Sequence, residues 1–124
     1  MLSNAKLVGF ILTKDYERAR AFYEGKMEFE FVSHDPFALV MRAGQNMIRI
    51  VKMQDFAPLQ STVLGWEVGD VESAVECLVR RGVVLEKYPW VQDKERGIWT
   101  TPGGDKVAWF KDPDGNVLSV SQHG

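Results

Sequence analysis

The side chains that most often carry out acid–base or metal chemistry are few in this chain of 124 residues, which has two histidines and one cysteine. His34 stands beside Asp35-Pro36 in a predicted turn and His123 is the penultimate residue. Both are expected to be solvent-exposed and to lack a second metal ligand. No Ser-His-Asp arrangement, HExxH motif, phosphate-binding glycine loop or cysteine pair is recognisable. Cys77 is expected to be a small residue near the core, since no histidine or lysine nearby would activate its thiol.

The elements that would position a site follow a plan that occurs twice. An apolar run closed by an aspartate, Lys6–Asp15, precedes a helix-like stretch, and the same plan recurs 55 residues later in Ser61–Asp70. Short strand-like runs follow each helix. The sequence therefore predicts an α+β fold in which tandem βαβββ modules, 1–57 and 58–124, form a curved mixed sheet around a cleft.

Two helices are predicted, each with an aspartate N-cap and a glycine at its C-terminal end. The cap, helix and glycine are Asp15, 16–24 and Gly25 in the first module, and Asp70, 71–81 and Gly82 in the second. The predicted strands after the helices are 28–33, 37–43 and 47–53, then 83–88, 98–101, 106–111 and 117–122. The last hairpin has the clearest turn, Asp112-Pro113-Asp114-Gly115-Asn116, with glycine where a positive φ is expected.

The composition is that of an ordinary folded domain, with 45% hydrophobic and 26% charged residues and a net charge of −2. A charge this small predicts no nucleic-acid or anionic-membrane partner. No apolar run reaches the roughly 18 residues of a membrane-spanning helix. A single cysteine excludes an internal disulfide framework and suits a reducing compartment. These features together favour a soluble cytoplasmic domain.

Three segments resemble the vicinal oxygen chelate superfamily, which includes glyoxalase I, bleomycin-resistance proteins, fosfomycin-resistance enzymes and extradiol dioxygenases. They are Asp15-Tyr-Glu-Arg-Ala-Arg-Ala-Phe22-Tyr23, Glu67-Val-Gly-Asp70-Val-Glu-Ser-Ala and Trp109-Phe-Lys-Asp-Pro-Asp-Gly-Asn116-Val-Leu. The resemblance covers essentially the whole chain and implies the tandem βαβββ fold. It does not fix the activity, because the superfamily contains lyases, transferases, dioxygenases and binding proteins.

The resemblance also implies a divalent metal held by one side chain from each of four strands. At the positions that match the family's ligands, this chain has Val8, Arg49, Val63 and Ser119. Two valines and a permanent cation cannot supply the carboxylate, imidazole or thiolate donors that such a metal needs. The sequence therefore predicts no metal and no other cofactor.

Strand alternation predicts which of the remaining side chains line the cleft. The expected ligand-binding residues are Phe10, Arg49, Glu67, Trp90, Trp99 and Ser119. A buried Arg49 would need a partner, either Glu67 or an anionic group of a ligand. Glu67 is also the one weak candidate for a catalytic acid or base.

The four tryptophans divide into two pairs. Trp66 and Trp109 are expected in the core. Trp90 and Trp99 lie in the segment 89–104, which is long enough to form a lid over the cleft. For these two, a core or dimer contact and a place in the cleft wall are equally compatible with the sequence.

Three functions remain open. The first is metal-free binding of a small molecule, of a resistance or sequestration type, whose anionic group pairs with Arg49 and whose apolar or aromatic body rests on Phe10, Trp90 and Trp99. The second is a metal-free enzyme that uses Glu67 and Arg49, and the third is a metal-dependent lyase or dioxygenase. A homodimer is expected, because small members of the family are usually paired and exposed sheet edges invite association.

Overall fold

The structure is a computed structural model that describes all residues from Met1 to Gly124 as two compact units, Met1–Ala57 and Pro58–Gly124. In each unit a strand and a helix are followed by three strands, and the four strands form one mixed sheet. The predicted α+β class with tandem βαβββ modules is therefore confirmed. No helix is both long and apolar enough to cross a membrane.

The first unit forms a sheet of order β1-β4-β3-β2, in which only the β1–β4 pair is parallel. Its elements are β1 (Val8–Thr13), α1 (Tyr16–Arg20), β2 (Glu30–His34), β3 (Leu39–Ala43) and β4 (Asn46–Lys52). A π-helical segment, Ala21–Lys26, continues α1, so the helix passes through Gly25 instead of ending there as predicted. The left-handed residue after the helix is Glu28, with a φ of 61°. The wider turns of the π-helix accommodate the additional residues.

The second unit forms a sheet of order β5-β8-β7-β6, again with one parallel pair, β5–β8. Its elements are β5 (Thr62–Glu67), α2 (Val71–Arg80), β6 (Ile98–Thr100), β7 (Lys106–Lys111) and β8 (Val117–Gln122). The predicted strand 83–88 is wrong, since only an isolated bridge joins Leu85 to Phe110. Val83 and Leu85 are buried, so their alternation reflects burial of a loop and not strand pairing.

Both predicted aspartate caps are confirmed. The Asp15 carboxylate accepts hydrogen bonds from the backbone N–H groups of Glu17 and Arg18, at 3.0 and 3.3 Å. The Asp70 carboxylate accepts from the N–H of Glu72 at 3.1 Å and from the Ser73 hydroxyl at 2.8 Å. These bonds satisfy N–H groups that have no partner within the helix.

In each sheet one face packs on the helix of its own unit, and the opposite face is called the open face below. Along β4, Ile48 and Ile50 are buried on the helix side, whereas Met47, Arg49 and Val51 alternate with them and are more exposed. Side chains on a strand alternate between faces, and residues paired across strands share a face. The register therefore decides which side chains can meet on each open face.

Gly97 fixes the start of β6, and its replacement is predicted to destabilise the protein. It has a φ of +74°, and a Cβ there would lie 2.8 Å from the carbonyl oxygen of Glu86 and 3.3 Å from Cβ of Leu85. We expect Gly97→Ala to cost about 1–3 kcal/mol in the free energy of unfolding, because both strain and a backbone clash oppose it. Urea denaturation measures this cost.

The matched control is Gly69→Ala, where an added Cβ meets nothing within 4 Å and the backbone is not left-handed. The free energy of unfolding of that variant should lie within about 0.5 kcal/mol of the value for the parent protein. Equal unfolding midpoints for the two variants would contradict the assignment of Gly97 as a required glycine.

Candidate functional site

Four aromatic side chains gather on the open face of the second sheet. The ring centroid of Trp109 lies 5.5 Å from that of Tyr88, 6.4 Å from that of Trp90 and 6.0 Å from that of Trp99. Tyr88 and Trp90 stack on each other at 4.6 Å with an interplanar angle of 6°. These four residues are called the aromatic platform. Trp90 remains 57% exposed and the other three side chains are half-buried, so the platform presents mainly the Trp90 ring to solvent.

The strand register places Trp109 on the platform and not in the core. Trp109 pairs with Ser119 on β8, while its neighbours Ala108 and Phe110 are fully buried on the helix side. The prediction that Trp109 is a core residue is therefore wrong. Trp66 lies on the helix side, where its ring stacks on Phe110 at 6.0 Å, but it is half-buried and not a fully buried core residue.

The loop 87–97 that carries Tyr88 and Trp90 is tied to its own unit at several points. The Lys94 ammonium donates to the carbonyl oxygens of Tyr88 and Pro89 at 2.9 and 2.7 Å. Gln92 exchanges two hydrogen bonds with the backbone of Thr100, at 2.9 and 3.0 Å. Contacts of this kind fix the position of the aromatic platform on its own sheet, and a lid role for the segment 89–104 stays a prediction.

The tethering continues toward α2 through charged side chains. The Asp93 carboxylate pairs with the Arg96 guanidinium at 2.8 Å, and Arg96 also contacts Glu72 of α2 at 3.3 Å. The backbone N–H of Arg96 and its guanidinium hold the pKa of the Asp93 carboxyl below its ordinary value. The pair therefore stays ionised at neutral pH and fastens the loop to the helix.

A polar cluster lies on the same open face, at the end of the sheet where β5 and β8 finish. It consists of Glu67, Asp105, Ser121 and His123, and Glu67 is the register partner of Ser121. The Ser121 Oγ lies 3.1 Å from Nε2 of His123. The Asp105 carboxylate lies 3.7 Å from Nδ1 of His123, and the Glu67 carboxylate lies 3.9 Å from Nε2.

His123 is solvent-exposed as predicted. The prediction that no Ser-His-Asp arrangement exists is wrong, because Ser121 and Asp105 both lie beside the His123 ring. The missed signal is the spacing of Ser121 and His123, two residues apart along an extended segment, which puts both side chains on one face. Asp105 joins the cluster because it directly precedes β7, the antiparallel neighbour of β8. Glu67, with its side chain 74% exposed, borders the cluster.

Ser119 lies one step further along the same face but is not available to a ligand in the way predicted. It is only 8% exposed, between its register partners Gly65 and Trp109. A Cβ on Gly65 would lie 2.8 Å from the Ser119 hydroxyl oxygen, so the two residues are in close contact. Ser119 therefore supports the sheet beneath the aromatic platform.

On the open face of the first unit, Arg49 has a partner that sequence reasoning missed. Its guanidinium donates to the Asp35 carboxylate at 3.0 Å, so the expected pairing with Glu67 or a ligand is not needed to balance its charge. The other oxygen of Asp35 accepts from the N–H groups of Phe37 and Ala38, at 2.8 Å each. Phe10, the register partner of Arg49, is 62% exposed beside it.

The residues at the family's metal positions do not fit a divalent metal. Val8 and Val63 have no donor atom, and Arg49 is a cation already paired with Asp35. Ser119 offers only a neutral hydroxyl, which is packed against Gly65. No group of three or more histidine, cysteine, aspartate or glutamate side chains is arranged to hold a metal.

A groove of about 630 Å³ lies on the other side of the second unit, beside α2. Its walls are aliphatic side chains with a rim of mixed charge, and they include Val75, Val79, Val83, Arg80 and Glu95. It holds none of the aromatic platform or polar cluster residues. The volume suits a small molecule, and the rim carries charges of both signs.

Within each unit, the predicted site residues share the open face of the sheet. Phe10 and Arg49 are register partners on the open face of the first unit. Trp90 and Trp99 belong to the aromatic platform of the second unit, where Glu67 and Ser119 lie on the same face.

The chain belongs to the Glyoxalase/Bleomycin resistance protein/Dioxygenase superfamily, whose sequence profile matches residues 6–120. Similar solved structures include an antibiotic-binding protein from a Streptomyces species, with 22% identity, a TM-score of 0.70 and 100% and 99% of the two chains covered. A lactoylglutathione lyase from Agrobacterium tumefaciens has 16% identity and a TM-score of 0.73 over 96% and 93%. A superfamily member from Sphaerobacter thermophilus has 22% identity and a TM-score of 0.73 over 99% and 100%.

These likenesses establish the fold alone, because each identity is low. No curated protein matches the sequence significantly.

The Asp35–Arg49 pair makes a prediction about acid stability. The N–H of Phe37, the N–H of Ala38 and the Arg49 guanidinium hold the pKa of the Asp35 carboxyl below its ordinary value, against a smaller opposing effect of burial. A carboxyl with a lowered folded-state pKa stabilises the protein above its unfolded-state pKa of about 3.9, and this contribution is lost as the pH falls through the folded-state pKa. Asp35→Asn should therefore be less stable than the parent protein at pH 7, and the difference should narrow in acid.

The measurement is urea denaturation of both proteins at several pH values between neutral and acid. Asp55→Asn is the control, since the Asp55 side chain has no hydrogen-bond or ion-pair partner and its curve should follow that of the parent protein. If the difference in unfolding free energy between Asp35→Asn and the parent protein stays constant with pH, ionisation of Asp35 is not the cause of that difference.

Proposed function

We propose that the protein binds a small molecule with a planar aromatic body, and that this body stacks on the aromatic platform of the second unit. The observation that carries the proposal is the Tyr88–Trp90 stack against Trp109 and Trp99 on an open sheet face. Trp90 is exposed and the other three rings are half-buried beneath and beside it, and contiguous apolar surface of this kind often marks a binding site. A flat ring can replace solvent on such a surface.

The tethers of the loop 87–97 support binding with little rearrangement. The Lys94 ammonium donates to the carbonyl oxygens of Tyr88 and Pro89, which fixes the backbone just before Trp90. A surface that is ordered in advance loses less conformational entropy on binding. Tryptophan and tyrosine also have few rotatable bonds, which keeps this cost small.

The family and its members support binding of a small molecule in general terms. One similar structure is described as an antibiotic-binding protein and another as a lactoylglutathione lyase, so the same fold serves both binding and catalysis. The lack of donor atoms at Val8 and Val63 favours the binding role over a metal-dependent lyase. A resistance or sequestration role would follow if the ligand is toxic.

An anionic group on the ligand remains a prediction, although Arg49 no longer needs such a group to balance its charge, because Asp35 does so. Arg49 has two further guanidinium nitrogens besides the one that contacts Asp35, so it can still donate to an anion, but its charge is already balanced.

The homodimer also remains a prediction. Phe10 and Phe37, which are both highly exposed, provide apolar surface for it.

Substitutions within the aromatic platform should weaken binding of planar aromatic compounds. One lost stacking contact is worth about 0.5–1.5 kcal/mol, so Trp90→Leu or Trp99→Leu should each raise the dissociation constant about 2- to 13-fold. Quenching of tryptophan fluorescence measures binding in a screen of fused-ring compounds, and calorimetry of the hits measures affinity independently of the removed fluorophore.

Trp66→Phe is the control. Trp66 lies on the helix side of the same sheet, so this substitution should leave the affinity unchanged. Arg49→Ala tests the predicted anion contact on the first unit, and only compounds that carry a carboxylate or phosphate should bind this variant more weakly than the parent protein. Hits that bind equally well to Trp90→Leu, Trp99→Leu and the parent protein would refute the aromatic platform as the binding surface.

A further inference from the structure

The polar cluster contains a serine, an imidazole and a carboxylate in a continuous chain of contacts. Ser121 Oγ lies 3.1 Å from His123 Nε2, and His123 Nδ1 lies 3.7 Å from the Asp105 carboxylate. A nucleophile and its base need a separation of about 2.6–3.2 Å for proton transfer, and contacts to the orienting group are often longer before substrate binds. The order of the three groups is the one that activates a serine hydroxyl.

Asp105 is itself held in place by the backbone around it. Its N–H donates to the Thr101 hydroxyl at 3.0 Å, and its carbonyl accepts from the Thr101 N–H at 2.8 Å. One carboxylate oxygen accepts from the N–H of Gly124 at 3.0 Å, which leaves the other oxygen facing His123. Nucleophilic catalysis requires the imidazole tautomer with its proton on Nδ1, toward Asp105, so that Nε2 can accept from Ser121.

We propose that Ser121 is a nucleophile that cleaves activated aryl esters, with His123 as its base and Asp105 as the positioning residue of His123. The Ser121 oxygen adds to the ester carbonyl carbon while its proton passes to Nε2 of His123. The bond to the aryloxide then breaks, and the aryloxide takes that proton. Water, deprotonated by His123, hydrolyses the acyl-serine to a carboxylic acid and restores the serine.

Glu67 has a different role from the acid or base predicted for it. Its carboxylate lies 3.9 Å from Nε2, where it stabilises the imidazolium that forms when the serine proton is transferred. Asp105 faces the same ring from the start of β7, so two carboxylates stabilise that charge.

The aryl preference rests on the proposed function, because it requires the aromatic platform to hold the leaving group. Ser121 pairs with Val107, and Val107 pairs with Trp99, so Ser121 and Trp99 are two strands apart in one row. Two strand spacings amount to about 10 Å, which one aryl ester can span. Ser121 also lies two residues from Ser119, the register partner of Trp109.

A fluorophosphonate probe tests the nucleophile without relying on the aromatic platform. The activated serine oxygen bonds to phosphorus and fluoride leaves, so digestion and mass spectrometry should locate the label on Ser121. Ser121→Ala should carry no label there. His123→Gln should slow labelling about 100-fold, since a general base contributes about 10²–10⁴ in rate. His123 is exposed, so its replacement leaves the core intact, and circular dichroism checks the fold.

Hydrolysis of 4-nitrophenyl acetate and of a naphthyl acetate supplies the second readout. Asp105→Asn should lower kcat with little change in KM, whereas a structural defect would also change KM or circular dichroism. His34→Gln and Cys77→Ser are matched controls, because each removes another reactive exposed or half-exposed side chain and should leave both readouts unchanged.

The outcomes separate this proposal from the proposed function. If labelling of Ser121 persists but Trp99→Leu does not raise KM for the naphthyl ester, the nucleophile stands and the aromatic platform fails. If no label reaches Ser121, or if His123→Gln reacts as fast as the parent protein, the nucleophile is refuted, whatever the binding measurements give.

Discussion

The packing of Trp109 is the contact on which the open face of the second unit depends. Its ring touches Tyr88, Trp90 and Trp99, and its backbone carbonyl accepts a hydrogen bond from the N–H of Glu86 at 2.8 Å. One residue thus joins the central strand β7 to the loop that follows α2. Because the ring is on the open face, the aromatic side chains of that loop collect there and not beneath the helix.

The same register governs the polar chemistry. Each pairing across β5, β8, β7 and β6 assigns a row of side chains to one face, and the row through Ser121 contains Glu67 at one edge and Trp99 at the other. A shift of one residue in any pair would move these side chains to the helix side. The Gly65–Ser119 contact helps to exclude larger side chains from the neighbouring row. Strand pairing therefore brings Trp99, Trp109, Glu67 and Ser121 to one surface, where the loop residues Tyr88 and Trp90 and the residues Asp105 and His123 join them.

Much of the fold was predictable from local signals. The aspartate caps at Asp15 and Asp70 act within a few residues of chain, so the sequence displays them directly. The error at 83–88 has a clear cause, since a buried loop with alternating Val83 and Leu85 gives the same pattern as a strand.

The site was less predictable because it depends on contacts between distant residues. Strand β7 has apolar residues on both faces, so it lacks the alternation of apolar and polar residues that would show whether Trp109 or Phe110 faces the core. Arg49 was correctly placed on the open face, but its partner Asp35 lies in a turn whose path the sequence does not reveal. The contact of His123 with Asp105 joins residues 18 positions apart and becomes visible only with the register of β7 and β8.

The most direct test of the account is to observe the four indole N–H signals by NMR while a planar aromatic compound is added. The account predicts that the signals of Trp90, Trp99 and Trp109 shift together and saturably, while that of Trp66 remains in place. Saturable binding that shifts Trp66 and leaves the other three signals unchanged would contradict it.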